Sequence, residues 1–267
     1  MNKYQILFDS LKKKKEKCFV PFVIIGDPSY ESSLKIVNTL IKNGADALEL
    51  GFPFSDPMSD GITIQNANLR AFHSKININK CFNFILEIRN RYPDIPIGIL
   101  TYANIVFSQK INVFFSKCAL NQIDSVLIAD VPIEESYLFH DCASNNKISM
   151  IYVCPPNANN STIKKICKYS SSFIYLLSRP GVTGTENKAL IPQKHIILEC
   201  KINNSVPLLQ GFGISTSQQI KKCLKNGVSG VICGSVIVEI IEKNYQNHHT
   251  MLYEIEKTVI ELKQATL

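Results

Sequence analysis

Eight short apolar runs punctuate the chain at spacings of a few dozen residues: CFVPFVII (18–25), ADALELGF (45–52), IPIGILTY (95–102), DSVLIAD (124–130), ISMIYVC (148–154), FIYLLS (173–178), VPLLQGF (206–212) and GVICGS (230–235). Each is followed by a Gly, Pro, Asp or Ser signal and then by residues whose apolar positions recur with helical period. The helical segments include 30–44, 134–146, 216–227 and 236–245, with Ser or Asp at expected N-caps and Gly or Asn at expected C-caps. A final helix is predicted over 251–265. Ile6, Leu7 and Leu11 predict a first helix whose KKKK run (12–15) is its solvated face. Strands that are apolar almost throughout belong in a sheet covered on both sides. Eight strand–helix units in alternation predict an α/β protein, a closed (β/α)8 TIM barrel with an extra N-terminal helix, with an open doubly wound sheet as the alternative. No linker separates a second unit, so residues 1–267 are expected to form a single domain.

Composition narrows the function. Hydrophobic residues make up 45% and charged residues 19%, an ordinary globular balance. The formal charge of +7 admits an anionic partner, but no surface stripe of interleaved lysines and aromatics supports nucleic-acid binding. No segment approaches 18 uninterrupted apolar residues, and the N-terminus has no apolar export core, so a cytoplasmic location away from any membrane is expected. Nine cysteines stand singly at 18, 81, 118, 142, 154, 167, 200, 223 and 233, with no C-x-x-C pair and no zinc-ligand spacing. Reduced thiols and no metal site are the expectation.

The chemistry concentrates in LELGFPFSDPMSDG (48–61), where Glu49, Asp56 and Asp60 crowd the end of the second strand and its loop. Barrel chemistry sits at this end of the strands. If Leu48 and Leu50 face the helices, Glu49 points into the mouth, where desolvation raises its pKa and makes it a candidate general acid or base. A glutamate that merely closes the barrel is the other reading. Asp56, before Pro57, shapes a turn; Asp60, before Gly61, fits either role. At the opposite side, SRPGVTGTE (178–186), GFGIS (211–215) and CGSVIV (233–238) follow the last three strands. Backbone N–H groups from such loops and a short helix N-terminus commonly hold phosphate in this architecture.

The segments LELGFPFSDPMSDGITIQ (48–65), ILTYAN (99–104), ADVPIEES (129–136), CPPNA (154–158), YLLSRPGVTGTEN (175–187) and LLQGFGIS (208–215) resemble those of the tryptophan synthase alpha chain family, in the same order and across essentially the whole chain. The resemblance implies retro-aldol cleavage of indole-3-glycerol phosphate to indole and glyceraldehyde 3-phosphate, a carbon–carbon lyase step of tryptophan biosynthesis. It also implies that Glu49 is the acid–base residue and that Asp60 holds the indole N–H. Phe22, Leu100, Leu127, Ala129 and Val153 are then expected in the indole slot, with Tyr102 and Tyr175 lining the channel. Thr183 is expected to close over Asp60, and Gly184, Phe212, Gly213, Gly234 and Ser235 to take the phosphate. Arg179 is expected to organise the closing loop, where Pro180 restricts it and Gly181 supplies a hinge. No cofactor is implied in this chain; pyridoxal phosphate belongs to the beta chain, the expected partner in an αββα heterotetramer. Ser59, Ile62 and Thr101 depart from the family pattern without removing a reacting group.

Two neighbouring barrel chemistries fit less well. An indole-glycerol phosphate synthase calls for a catalytic lysine at a strand end, and a sugar-phosphate epimerase for a His/Asp metal set. The strand ends carry neither, and His73, His140, His195, His248 and His249 all fall in predicted helices or loops.

Overall fold

The computed structural model describes residues 2–177, 194–203 and 205–267. Arg179, Pro180, Gly181, Thr183 and Gly184, all in the expected closing loop, lie outside the described residues. The elements follow in chain order: α1 (Lys3–Lys14), β1 (Cys18–Ile24), α2 (Tyr30–Lys42), β2 (Leu48–Gly51), α3 (Ile62–His73), α4 (Ile78–Arg91), β3 (Ile97–Thr101), α5 (Ala103–Ser108), α6 (Ile111–Leu120), β4 (Ser125–Ile128), α7 (Tyr137–Asn145), β5 (Ser149–Met150), β6 (Tyr152–Cys154), α8 (Asn160–Tyr169), β7 (Ile174–Leu177), α9 (Lys194–Ile202), β8 (Leu208–Gly211), α10 (Ser217–Lys225), β9 (Gly230–Cys233), α11 (Ser235–Asn244) and α12 (His248–Gln264).

All strand pairs are parallel, in the order β5-β4-β3-β2-β1-β9-β8-β7-β6. The predicted barrel is therefore present, with one change. The fifth run, 148–154, is two strands rather than one: Ser149 and Met150 pair with β4, whereas Tyr152 to Cys154 pair with β7, and Ile151 is the crossing point between them. Strands are buried almost throughout, as their apolar runs require. Side-chain caps fix several helices on the outside. Ser29 accepts from Ser32 N at the start of α2, and Thr216 and Gln219 form a capping box on α10.

Helix α1 closes the N-terminal end of the barrel, but not through the stripe expected. Tyr4 and Leu11, two turns apart, are buried, while Ile6 is 47% exposed and Leu7 is only half-buried. Tyr4 reaches inward to share a hydrogen bond with Ser125 Oγ at 3.0 Å. Asn2 caps α1 by accepting from Tyr4 N and donates to Ser149 Oγ and Ser172 Oγ at 3.2 and 2.8 Å. The base of the barrel is thus polar and fully paired at these groups. Among the described residues no helix is long and apolar enough to cross a membrane.

Candidate active site

Glu49 is the second residue of β2, in register with Phe22 of β1 and Gly98 of β3. Leu48 and Leu50 are fully buried on the helix side, so alternation turns Glu49 into the barrel. Only 5% of it is exposed. Burial, with the charge of Asp60 adding in the same direction, pushes its carboxyl up to about 8. At neutral pH it is therefore mainly a protonated acid.

Asp60 sits before α3, 4% exposed. The Tyr102 hydroxyl donates to its Oδ2 at 2.8 Å, and Gln65 Nε2 donates to its backbone carbonyl at 2.7 Å. Tyr102 is itself locked by stacking on Phe54, with centroids 4.8 Å apart and planes 22° from parallel. The far end of the loop is tied to the same helix, since Phe54 N donates to Asn68 Oδ1 at 2.9 Å. Tyr102 thus orients the carboxylate, while the backbone of Asp60 and the loop before it are tied to α3. Desolvation and the Asp60 charge both drive the Tyr102 phenol upward, so it remains a donor.

Two cavities meet at Asp60, Leu100, Tyr175 and Phe212. The inner one, about 420 Å³, runs from Glu49 past Phe22, Ile64 and Ile232 to Gly213, Gly234 and Ser235. The outer one, about 790 Å³, is walled by Leu127, Ala129, Val153 and Leu177, with Met58 and Ser59 at its lip. Its walls are apolar, as a flat aromatic ligand requires. Tyr175 stands between the two, and its ring fits only because residue 211 is glycine: a Cβ there would lie 2.1 Å from the Tyr175 hydroxyl. Next to it Phe212 has a left-handed backbone, φ 66°, and Gly213 follows at φ 71°. A bulky residue in that region is strained and marks a constrained turn. Helix α11 starts beside this turn at Gly234 without a side-chain cap. Its first N–H groups and the Ser235 hydroxyl therefore stand at the inner cavity, in the arrangement that holds an anion.

An acid held protonated, a fixed carboxylate, an apolar slot and an anion cradle are thus contiguous. A family model described as tryptophan synthase alpha chain matches residues 8–267. The chain belongs to the tryptophan synthase alpha chain family. The tryptophan synthase alpha chain of Buchnera aphidicola subsp. Schlechtendalia chinensis is 55% identical over 267 residues, covering 100% of this chain and 99% of its own. That of Pectobacterium atrosepticum is 50% identical over 266 residues, with the same coverage of 100% and 99%. Among solved structures, tryptophan synthase subunit alpha from Legionella pneumophila superposes with a TM-score of 0.89 at 26% identity, covering 100% of this chain and 98% of that one. The tryptophan synthase complex from Pyrococcus furiosus gives 0.81 at 27% identity, covering 92% and 98%. This chain is accordingly the lyase subunit that cleaves indole-3-glycerol phosphate to indole and glyceraldehyde 3-phosphate in tryptophan biosynthesis.

Of the residues expected from the family pattern, Phe22, Glu49, Asp60, Leu100, Tyr175, Phe212, Gly213, Gly234 and Ser235 line the inner cavity, and Leu127, Ala129 and Val153 the outer. Tyr102 lines neither; it reaches the site through its bond to Asp60. Thr183 and Gly184 lie outside the described residues. Ile64, Ile214 and Ile232 were not anticipated, although Ile232 alternates inward with Gly230 and Gly234 and was readable from strand period. Among the described residues no group of three or more His, Cys, Asp or Glu is arranged to hold a metal.

Proposed function

We propose that Glu49 and Asp60 divide the cleavage between them. The bond to break joins indole C3 to the glycerol carbon that carries a hydroxyl. Glu49, protonated at neutral pH, gives its proton to C3; the ring becomes an indolenine with positive charge on nitrogen. Asp60, oriented by Tyr102, accepts the indole N–H and stabilises that charge. The Glu49 carboxylate then takes the hydroxyl proton, the carbonyl of glyceraldehyde 3-phosphate forms, and the C–C bond electrons return to the ring. Glu49 ends protonated as it began, so one residue serves both transfers. The apolar outer cavity takes the ring, and Phe212, Gly213, Gly234 and Ser235 take the phosphate through backbone N–H groups and a hydroxyl. The observation that carries this reading is the desolvated Glu49 sharing the inner cavity with Asp60, which stands where the two cavities meet.

No cofactor enters these steps in this chain. The partner is a pyridoxal-phosphate beta chain in an αββα heterotetramer, as the tryptophan synthase complex of the Pyrococcus furiosus neighbour supports. Met58, 83% exposed in the loop before Asp60, gives that partner a hold on the catalytic loop. Indole is apolar and poorly retained in water, so passing it directly to the second site is the physical reason for assembly. The protein acts in the cytoplasm. The test is indole release from indole-3-glycerol phosphate by wild type, Glu49→Gln and Asp60→Asn, with and without a beta chain. Loss in Glu49→Gln, a smaller loss in Asp60→Asn and acceleration on mixing are expected. Turnover of Glu49→Gln within a factor of a few of wild type overturns the assignment.

A further inference from the structure

Helix α3 leaves the Asp60 loop, α11 leaves the anion cradle, and the two pack side by side. One acidic side chain joins them. Glu242 Oε1 accepts from Asn66 Nδ2 at 2.7 Å and from Arg70 Nη1 at 3.3 Å, both donors on α3. Arg70 also forks onto Asp27, with Nε to Oδ1 at 2.7 Å and Nη2 to Oδ2 at 2.9 Å. Asp27 follows β1, α3 follows β2 and α11 follows β9, and β1 lies between those two strands. Arg70 and Glu242 therefore knit three adjoining units of the wall just outside the mouth.

The geometry points to Glu242 as a positioning residue for the phosphate: by accepting from Asn66 and Arg70 it fixes the N-terminus of α11 relative to Asp60. Two turns of helix, about 10 Å at 1.5 Å per residue, separate Glu242 from Ser235. A stiff helix held sideways at that distance cannot tilt its first N–H groups away from the cradle. At the other end of the span, α3 grips the catalytic loop through Gln65 and Asn68. The anion cradle and the carboxylate thus share one strut, so the donors of α11 meet the phosphate while the ring meets Asp60. This inference rests on the phosphate reading of Phe212, Gly213, Gly234 and Ser235.

Glu242 suits a direct test because its side chain is 34% exposed and Asp27 keeps Arg70 paired without it. The full-length chain and its Glu242→Ala and Glu242→Gln variants are titrated calorimetrically with inorganic phosphate, assayed for KM and kcat on indole-3-glycerol phosphate, and melted. In Glu242→Ala, phosphate affinity falls and KM rises together, by roughly three- to tenfold, with kcat within about twofold of wild type. Glu242→Gln, which keeps an oxygen for both donors, recovers most of the affinity. Wild-type phosphate affinity and KM in Glu242→Ala, whatever its melting temperature, overturn the positioning role, as does a Gln variant no better than Ala. If the wild-type chain itself binds no phosphate, the phosphate reading fails and the inference falls with it.

Discussion

Two acids, one before a barrel strand and one within the barrel, are treated in opposite ways. At the N-terminal end, Asp124 receives Arg89 Nη2 at 2.6 Å and the backbone N–H of Ile97 at 2.8 Å, with Lys3 Nζ 3.5 Å away. Arg89 is 1% exposed, and its remaining donors reach the carbonyls of Gln122, Tyr92, Pro93 and Ile95. Toward the mouth, Glu49 is more deeply enclosed, yet among the described residues the influences on its titration are burial and the repelling charge of Asp60. One end uses charge to hold the fold together. The other keeps an acid in a state that the unfolded chain would not choose, which costs stability and supplies a proton donor near neutral pH.

That contrast breaks first at Glu49→Gln. Cleavage should fall by roughly 10²- to 10⁴-fold, while the fold gains on the order of 3 kcal/mol at pH 7 from losing a raised carboxyl. The folded state binds a proton that the unfolded state releases between the ordinary value of 4.5 and about 8, so wild-type stability declines as pH rises through that window. The amide does not titrate. Urea midpoints at pH 5, 7 and 9 should therefore show the variant's advantage growing up to about pH 8 and then levelling. A constant gap would mean that Glu49 is not desolvated.

At the other end, Arg89→Met should do the reverse. Taking the guanidinium from Asp124 and leaving several carbonyls unmatched costs about 3 to 5 kcal/mol, yet kcat and KM well below the melting temperature should stay within about twofold of wild type. A large kinetic defect would mean that the two ends are not independent. Tyr102→Phe sharpens the description of the mouth: without its donor, Asp60 loses an interaction worth about 1 to 3 kcal/mol, read as a drop of roughly tenfold in kcat/KM together with a melting temperature lower by a few degrees. The smallest effect is expected for Tyr4→Phe, where the lost bond to Ser125 costs about 1 kcal/mol and activity is unchanged.

Signals confined to neighbouring residues were legible in the sequence. Apolar runs located the strands, the acids at and after the second run pointed to residues that line the inner cavity, and the glycines at 211 and 213 marked the turn beside it. Partners chosen across the fold were not. ISMIYVC reads as one uniform strand, and nothing within it marks Ile151 as the crossing between two neighbours. Tyr4 lost to Ile6 as an expected core residue because a hydroxyl's value depends on Ser125, 121 positions away. Arg70 carries no local sign of its pairing, since Asp27 and Glu242 lie 43 and 172 residues from it.

The crossing at Ile151 also determines how the ring of strands is closed. Followed around the barrel, the backbone hydrogen bonds run without interruption from β5 to β6 by the long way, and the circuit is then completed by the chain itself. The wall is a split washer whose two ends are the halves of one strand. On the mouth side of the split, the end of β4 and Ala129 face Val153 with no ladder between them, and these residues border the outer cavity. Along that slit no ladder hydrogen bond ties one edge to the other, so the wall of the aromatic slot is the stretch of the ring held by side-chain packing rather than by backbone pairing.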